Sequence, residues 1–397
     1  MSKIILHIDL NKFFVRCEEI KNPSLIGKPV IIGGDGRKGI VSTCSYEARD
    51  FGVHSGMPTF IAKQLCPQAI IIDCDFKFIG LLSKEFHHYI KGFTTKIEQA
   101  SLDECFCDIT EYYEKYGNGD IMSVLKKIQN GLLKQTQLKC SIGVAPTKFL
   151  AKMGSDYKKP MGITIIRKKD IPNILFPLDV GDFYGIGKKT APRLHKIGVK
   201  TIGDLYNGLK ENNTDVLELI GNGKDHIIRC LEGYSSSDIN TEIEDPKSIG
   251  RSYTLNADTT DKEVLKKALH FQINDVVNQL VQNKLLAKTI QITYKDASCQ
   301  NHFKASTFSK TFDQLTDDLD YIMNETFKFF DTIRIINDVR LIGFTLKNLS
   351  KKEDAIIQLT LENYSEQKDD ETKKIIDKLN KTLEKPLFFK GSDLKKK

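Results

Sequence analysis

The feature that most restricts how this chain can fold is a set of acidic residues at the ends of apolar stretches. Residues 3–10 (KIILHIDL) alternate with a period near two, which predicts a buried strand carrying Asp9 near its end. About ninety residues later, Asp103 and Glu104 lie in the apolar segment 97–110, which predicts a strand–turn–strand hairpin. Carboxylates at the ends of neighbouring buried strands are costly unless a positive charge meets them.

Magnesium is a suitable partner, because it binds a few carboxylates together with phosphate oxygens and water. Two such ions can activate a 3′-hydroxyl and stabilise a leaving pyrophosphate. Asp103 and Glu104 are adjacent, however, and neighbours on a flat strand face opposite sides. Both reach one site only near a turn or bulge. Taken alone, the pair fits a solvated hairpin tip better than a metal site.

The composition is that of a water-soluble globular protein with several domains. The chain has 397 residues, of which 40% are hydrophobic and 28% charged. No stretch reaches the roughly 18 apolar residues of a membrane span, and the N-terminus reads as a strand, so we expect a cytoplasmic protein. The net charge of +7 permits nucleic acid as a partner without identifying it. Nine cysteines without zinc-finger spacing indicate reduced structural thiols.

The order of elements predicts at least three regions. Up to about residue 166, strands and helices mix irregularly, which indicates an α+β domain around an antiparallel sheet. Residues 168–235 look helical, and 236–246 read as a polar linker. A β-α-β-β-α-β unit then follows, with elements predicted at 247–255, 261–284, 287–295, 302–312, 313–330 and 338–347. The charged end of the chain has one predicted helix, at 370–383.

Four segments carry a specific resemblance. They are HIDLNKFFVRCEE (7–19), VSTCSYEARDFGVHSGMP (41–58), SLDE (101–104) and SIGVAPTKFLAKMGSDYKKPMGI (141–163). In this order and at these separations they resemble the Y-family DNA polymerases, in the bacterial DinB branch, and the likeness extends over roughly residues 3–347. The resemblance implies a translesion DNA polymerase of low fidelity and without proofreading, which adds dNTPs to a primer on template DNA.

The family's right-hand architecture would divide the chain into named parts. The resemblance implies a palm at 1–10 and 76–166, fingers at 11–75, a helical helix-hairpin-helix thumb at 167–235, a linker at 236–245, a little finger at 246–348 and a tail at 349–397. We expect the chain to act as a monomer.

The resemblance assigns the active-site residues one by one. Asp9, Asp103 and Glu104, with the carbonyl of Leu10, match the ligands of two Mg²⁺ ions. Phe14 matches the residue that excludes a 2′-hydroxyl by its bulk, with Phe13 beside it; an ordinary core role for Phe14 is the alternative. The other matched nucleotide contacts are Ser42 and Thr43 at the nascent base pair, and Tyr46, Arg49 and Lys159 at the triphosphate.

DNA contacts are expected in two further places. Segment 183–205 has the GIG turn of a helix-hairpin-helix, whose glycines expose backbone N–H groups to a phosphate; the residues concerned are Gly185, Gly187, Lys188 and Lys189. Later in the chain, KSIGRSYTL (247–255) and VRLIG (339–343) resemble the family's groove-side strands, which implies phosphate contacts by Lys247, Arg251 and Arg340.

The tail departs from the family pattern. Gln358 and Leu361 occupy the place of a sliding-clamp-binding peptide, but Glu362 stands where an aromatic residue is expected. An acidic group cannot fill an apolar pocket, so the clamp contact is either weakened or lost.

Two readings from other classes compete with the polymerase. A DNA-binding accessory subunit in mutagenesis could keep the fold and lack catalysis, but all three carboxylates are present. A nucleotide cyclase with a palm-like sheet could use the glycine turn 33–36, but that turn lies between two predicted strands, far along the chain from Asp103.

Overall fold

The computed structural model describes residues 3–36, 38–242, 244–297 and 305–354. The chain divides into two compact units, Met1–Ile243 and Glu244–Lys397. The first 165 residues of the first unit contain the elements β1 (Ile5–Leu10), α1 (Phe13–Lys21), β2 (Val30–Gly33), β3 (Val41–Cys44), α2 (Tyr46–Arg49), α3 (Thr59–Leu65), β4 (Ile70–Ile72), α4 (Phe76–Lys91), β5 (Ile97–Gln99), β6 (Glu104–Asp108), α5 (Thr110–Tyr116), α6 (Ile121–Thr136), β7 (Cys140–Ala145), α7 (Lys148–Tyr157) and β8 (Ile163–Ile165).

A five-stranded sheet forms the centre of the first unit, in the order β5-β6-β1-β7-β8. All its pairings are antiparallel except β7 with β8. Alternate residues of β1 enter different cores: Leu6, Ile8 and Leu10 pack with α4 and α6, whereas Ile5 belongs to the core that includes α7. The α+β fold with a central antiparallel sheet is therefore confirmed.

The close approach of α7 to the sheet depends on Gly143 in β7. A Cβ atom at this position would collide with the carbonyl oxygen of Ala151 and the amide nitrogen of Ser155, both in α7. The helix starts at a defined point, since the Thr147 hydroxyl accepts a hydrogen bond from the Leu150 amide. Together these two features seat α7 on the face of the sheet that carries Asp9.

A second, three-stranded sheet lies between β1 and α4 in the chain, with the order β3-β2-β4. The turn 33–36 connects its strands β2 and β3, as the hairpin reading predicts and the cyclase reading does not. Helix α2 follows β3 directly and is capped by Ser45, whose hydroxyl accepts from the Ala48 amide. This cap fixes the direction of the short helix that carries Tyr46 and Arg49.

The rest of the first unit is helical, as its glycine turns and apolar spacing predict. It contains α8 (Ile171–Ile174), α9 (Ala191–Lys196), α10 (Ile202–Lys210), α11 (Thr214–Ile220) and α12 (Lys224–Leu231). These helices share one core with α7, including Phe149 and Phe183, whose ring centroids lie 4.9 Å apart.

The second unit has the predicted β-α-β-β-α-β order. Its elements are β9 (Ser248–Thr259), α13 (Lys262–Gln282), β10 (Leu285–Asp296), β11 (Ala305–Thr316), α14 (Leu319–Thr332) and β12 (Val339–Lys351), and the sheet order is β11-β10-β12-β9. Strand β9 is therefore an edge strand, and most of its residues are exposed.

Several predicted boundaries in this unit were wrong, including the end of β9, which runs to Thr259 instead of 255. The helix expected at 313–330 begins at Leu319, because β11 continues to Thr316, opposite Ala287, and Asp318 then caps the helix through the Tyr321 amide. Strand β12 runs to Lys351 instead of 347, since pairing with Leu285 extends it. The predicted helix at 370–383 lies outside the described residues.

Two expectations from composition concern the described residues as a whole. Every cysteine in the described ranges is free, and Cys105 and Cys107 are both fully buried. None of the helices described is both long and apolar enough to span a membrane.

Candidate active site

One cavity of about 340 Å³ in the first unit contains every residue predicted for the metal and the nucleotide. Its lining comes from the end of β1, the start of α1, β3, α2, the β5–β6 turn and the loop after α7. The lining residues are Asp9, Leu10, Asn11, Lys12, Phe13, Phe14, Ser42, Thr43, Tyr46, Arg49, Asp103, Glu104 and Lys159.

Sheet register brings the acidic residues together. Asp9 is directly opposite Glu104 across the β1–β6 pair, and the Leu10 amide donates to the Asp103 carbonyl oxygen at 2.9 Å. Asp103 precedes the first residue of β6, in the turn, where its carboxylate accepts from the Ser101 hydroxyl at 2.7 Å. The turn therefore resolves the difficulty of two adjacent carboxylates, because only Glu104 lies on the strand itself.

Two lysines neutralise these carboxylates. Lys152 Nζ lies 2.6 Å from Glu104 Oε1 and 3.5 Å from Asp9 Oδ2. Lys159 Nζ lies 2.7 Å from Asp9 Oδ2 and 2.8 Å from Asp156 Oδ1. The Lys152 side chain is only 10% exposed, so it is a nearly buried charge whose position depends on its acidic partners.

The two opposed carboxyl groups titrate differently. Burial raises the pKa of Asp9 to about 7, and its proximity to Glu104 acts in the same direction. The His7 imidazole, 3.7 Å away, and the Lys152 ammonium hold the pKa of Glu104 well below its usual range. Burial lowers the pKa of His7 itself. A buried acidic pair of this kind attracts cations and leaves Asp9 dependent on a positive neighbour for its charge.

The donor set fits a hard divalent cation. Asp9, Asp103, Glu104 and the Leu10 backbone offer oxygen atoms to the same cavity, and oxygen is the donor that such ions prefer. Within the described ranges, no three His, Cys, Asp or Glu side chains form a compact metal cluster. At this site the ammonium group of Lys152 stands between the carboxylates of Asp9 and Glu104.

Two aromatic residues at the start of α1 have different environments. Phe13 is 3% exposed and belongs to the core beneath the sheet. Phe14 is half-buried, lines the cavity, and packs edge-on against Phe76 with ring centroids 6.0 Å apart. The structure thus places Phe14 as a wall of the cavity instead of a fully enclosed core residue.

Basic groups lie on the α2 side of the cavity. The Arg49 guanidinium lies 5.4 Å from the centre of the Tyr46 ring, an arrangement that stiffens both side chains. Lys12 has a left-handed backbone (φ 43°) as the residue before α1, and its ammonium pairs with Glu19 at 2.6 Å. The first amides of α1 have no acceptors within the helix, and the residues at this helix start, Lys12, Phe13 and Phe14, line the cavity.

The glycine turn of the predicted helix-hairpin-helix is open to solvent. Gly185 has φ +112°, which a side chain would strain, and neither Gly185 nor Gly187 has a neighbour that a Cβ would touch. Lys188 and Lys189 are exposed, and Lys188 Nζ lies 3.5 Å from His54 Nδ1. An open backbone beside two lysines suits a phosphate.

The predicted contacts in the second unit lie on its exposed edge and the adjoining strand. Lys247 directly precedes β9, Arg251 lies on β9, and Arg340 lies on the neighbouring β12. Arg251 is exposed but forms an ion pair with Asp275 of α13, so its charge is partly engaged. Gln358 and Leu361 lie outside the described residues.

Several site residues were missed in the sequence. Lys152 and His7 contact the carboxylates, Asp156 pairs with Lys152 and Lys159, and Asn11 lines the cavity. His7 had a signal, since it is two residues before Asp9 and shares its face of the strand. Lys152 and Asp156 are spaced i,i+4 on α7 and precede Lys159, but nothing local shows that this helix faces β1.

Three family models match consecutive parts of the chain. The impB/mucB/samB family matches residues 8–156, the IMS family HHH motif matches 168–199, and the impB/mucB/samB family C-terminal domain matches 246–361. Among curated proteins, "DNA polymerase IV 1" of Bacillus subtilis (strain 168) is 37% identical over 100% of this chain and 94% of its own length. "DNA polymerase IV" of Bacillus anthracis is 35% identical over 100% of this chain and 95% of its own.

Solved structures of Y-family DNA polymerases also align with this chain. The "Y-family DNA polymerase chimera Dbh-Dpo4(243-245)-Dbh" aligns with a TM-score of 0.76 at 27% identity, over 88% of this chain and 99% of the other. "DinB from Sulfolobus solfataricus" aligns with a TM-score of 0.58 at 28% identity, over 88% and 99%.

Fold, cavity and matches define the class: a template-directed nucleotidyltransferase of the right-hand type, with palm, fingers, thumb and little finger. The chain belongs to the impB/mucB/samB family, the Y family of DNA polymerases, and it is similar throughout its length to bacterial DNA polymerase IV. It is thus a translesion DNA polymerase and not an inactive accessory subunit. Polymerases of this family work with divalent metal ions.

Proposed function

We propose that the active site uses two Mg²⁺ ions, held by Asp9, Asp103, Glu104 and the Leu10 carbonyl. The observation that carries this proposal is the single cavity in which these oxygen donors meet the predicted nucleotide contacts. When bound, the ions would supply positive charge for activating the primer 3′-hydroxyl and for stabilising pyrophosphate as it leaves. The carboxylate pair of β1 and β6 supplies the anionic oxygens, and the turn at Asp103 supplies the third side chain.

The basic residues of the cavity are proposed to bind the triphosphate of the incoming dNTP. Arg49 offers a planar fork of donors, Lys159 a point charge and Tyr46 a hydroxyl. Lys159 Nζ already lies 2.7 Å from Asp9, so it can exchange this partner for a phosphate oxygen beside the metal ligands. Positioning and charge neutralisation then account for most of the catalysis, as in other phosphoryl transfers.

The walls of the cavity are proposed to determine which nucleotide enters. Phe14 would lie against the sugar and exclude a 2′-hydroxyl. Ser42 and Thr43 on β3 would border the nascent base pair, and their small side chains leave space for a damaged template base. This open pocket supports the proposal that the enzyme extends primers opposite lesions as well as opposite normal bases.

DNA is proposed to be held by backbone and lysine contacts outside the cavity. In the first unit these are Gly185, Gly187, Lys188 and Lys189, and in the second unit Lys247, Arg251 and Arg340. A similar chain has been solved as "Insertion ternary complex of Dbh DNA polymerase" and aligns with a TM-score of 0.60 at 27% identity. A ternary complex of a similar polymerase supports primer–template DNA and a nucleotide as the substrates of this chain.

The remaining assignments follow from the same proposal. The palm would comprise 1–10 and 76–166, the fingers 11–75, the thumb 167–235, the linker 236–245 and the little finger 246–348, with a tail at 349–397. We expect a monomer that works in the cytoplasm, where bacterial DNA lies. Clamp binding through Gln358 and Leu361 stays a prediction, which a pull-down with the sliding clamp and a Gln358→Ala variant would decide.

Primer extension tests the catalytic assignment. Asp103→Ala should lower extension by at least about 1,000-fold, a loss of about 4 kcal/mol of transition-state stabilisation, while binding to primer–template DNA persists. The assay uses a labelled primer, four dNTPs and a magnesium titration. Glu111→Ala is the matched control, because Glu111 is an exposed carboxylate that pairs with Lys96 and does not line the cavity.

Two results would contradict the assignment. If Asp103→Ala extended primers at the rate of the Glu111→Ala control, Asp103 would not be a metal ligand. If extension were equal with magnesium and with a chelator present, the reaction would not require a divalent ion.

A further inference from the structure

A buried pair of amide side chains grips the loop that carries Lys159. This loop joins α7 to β8 and contains residues 158–162. Asn11, at the end of β1, accepts a hydrogen bond from the Met161 amide through Oδ1 at 2.8 Å. Gln129, on α6, donates from Nε2 to the Met161 carbonyl oxygen at 3.0 Å. Both backbone groups of one residue are thus held by side chains from different elements.

Met161 needs this support. Its φ of +60° lies in the left-handed region, which a residue with a side chain seldom adopts and which costs about 1 kcal/mol or more. The next residue, Gly162, has no room for a side chain, because a Cβ there would collide with the carbonyl oxygen of Lys158. The turn is therefore tight and strained, and it keeps its shape only while neighbouring groups hold it.

The two amides are themselves anchored. Asn11 is 3% exposed, and its Nδ2 donates to the Ser141 hydroxyl at 3.0 Å. Gln129 is 6% exposed, and its Nε2 also donates to the Cys140 carbonyl oxygen at 2.9 Å. Both anchors belong to β7, next to β1 in the sheet. These hydrogen bonds therefore fix the position of the loop relative to β1 and β7, the strand pair that carries Asp9.

We propose that Gln129 and Asn11 are positioning residues, which hold the loop 158–162 so that Lys159 faces the triphosphate site. Gln129 is the more informative of the two, because it does not line the nucleotide cavity, whereas Asn11 does. An effect of Gln129 on nucleotide binding must therefore pass through Met161 or β7. The inference rests on the proposed role of Lys159 as a triphosphate contact.

Single-turnover insertion on undamaged primer–template DNA gives the dNTP Kd and the maximal insertion rate separately. Gln129→Leu and Asn11→Ala should each raise the dNTP Kd about threefold to tenfold, as expected for losing one or two buried hydrogen bonds. Thr136→Val is the matched control, since Thr136 is a buried hydrogen-bonding residue of α6 that contacts Leu132 and Leu138 instead of the loop. An unchanged Kd in Gln129→Leu would overturn the proposal.

A double-mutant cycle with Lys159→Ala identifies the route of the effect. If Gln129 acts through Lys159, then adding Gln129→Leu to Lys159→Ala should change the dNTP Kd by less than about twofold. Fully additive effects would mean that Gln129 acts on the cavity by another route, and the proposal would fail. Gln129→Met keeps the length of the side chain and replaces the leucine variant if that one does not fold.

Hydrogen exchange tests whether Gln129 holds the loop 158–162, independently of whether Lys159 binds the triphosphate. If Lys159→Ala leaves the dNTP Kd unchanged, the triphosphate role is wrong, but the positioning of the loop can still be measured. Gln129→Leu should then accelerate amide exchange in segment 158–162 relative to Thr136→Val. Exchange at the rate of the control would show that Gln129 does not hold the loop.

Discussion

Single residues of the site depend on partners of opposite charge. Asp9 is buried among apolar strand residues, yet it is met by Lys159 at 2.7 Å and Lys152 at 3.5 Å. Removing one partner of such a group leaves an uncompensated buried charge, which costs more than the pair contributes. We therefore expect substitution of Lys152 or Lys159 to disturb the site, although Lys152 was not among the predicted contacts.

Sugar selection is the residue-scale property with the sharpest expected outcome. Phe14→Ala should raise rNTP insertion relative to dNTP at least about 100-fold, because the wall that excludes the 2′-hydroxyl is removed. Parallel kinetics with dCTP and rCTP opposite template guanine measure the ratio. Phe76→Ala is the control, since this exposed ring packs on Phe14 but does not line the cavity. A ratio unchanged by Phe14→Ala would place the gate elsewhere.

At the scale of elements, the site is assembled by helix α7 lying close against β7. Gly143 makes that approach possible, and α7 then carries Lys152 to the carboxylates of Asp9 and Glu104, and Asp156 to Lys159. No separate helix was predicted from the sequence for the residues of α7. The closeness of α7 and β7 follows from a missing side chain at Gly143, whose effect appears only when the strand and the helix are packed together.

Gly143→Ala should lower the free energy of unfolding by about 1–3 kcal/mol or more, because the added methyl group overlaps backbone atoms that cannot move independently. Gly80→Ala is the matched control: Gly80 lies inside α4 with open space around it, so alanine should stabilise the helix by about 0.5–1 kcal/mol. Urea unfolding followed by circular dichroism measures both variants. Equal stability of the two would contradict the packing argument.

At the scale of the whole molecule, DNA binding is expected from several separate contacts. The net charge of +7 is small for 397 residues, and many cations are already paired, as Arg251 is with Asp275. Affinity for DNA must therefore come from local groups of lysines and open backbone amides, such as those after Phe183. A grip of this kind holds phosphates and carries no base preference.

Replacing Lys188 and Lys189 together by alanine should weaken primer–template binding and reduce the slope of log Kd against log salt by about 1–2. Fluorescence anisotropy measures this slope over a salt range of about 50 to 300 mM, which includes the physiological ionic strength. Lys96→Ala removes a lysine that is paired with Glu111 and should leave the slope unchanged. A slope equal to that of the parent chain in the double variant would exclude the glycine turn as a DNA contact.

By itself, the sequence determined the fold class, the order of elements in the second unit and the family, and it predicted the residues of the site. Strand periodicity and glycine turns act over a few neighbouring residues, and the matched segments supplied the predicted metal ligands Asp9, Asp103 and Glu104 and the predicted nucleotide contacts. Boundaries failed where pairing with a distant strand lengthened an element, as in β11 and β12.

Only the tertiary structure decided which distant side chains meet. It set Lys152 between Asp9 and Glu104, paired Arg251 with Asp275, and held Met161 in a left-handed conformation between Asn11 and Gln129. The physical reason is that a contact between residues of different elements, up to 150 positions apart here, depends on sheet register and helix packing. These are set by the burial of whole faces and not by any local run of amino acids.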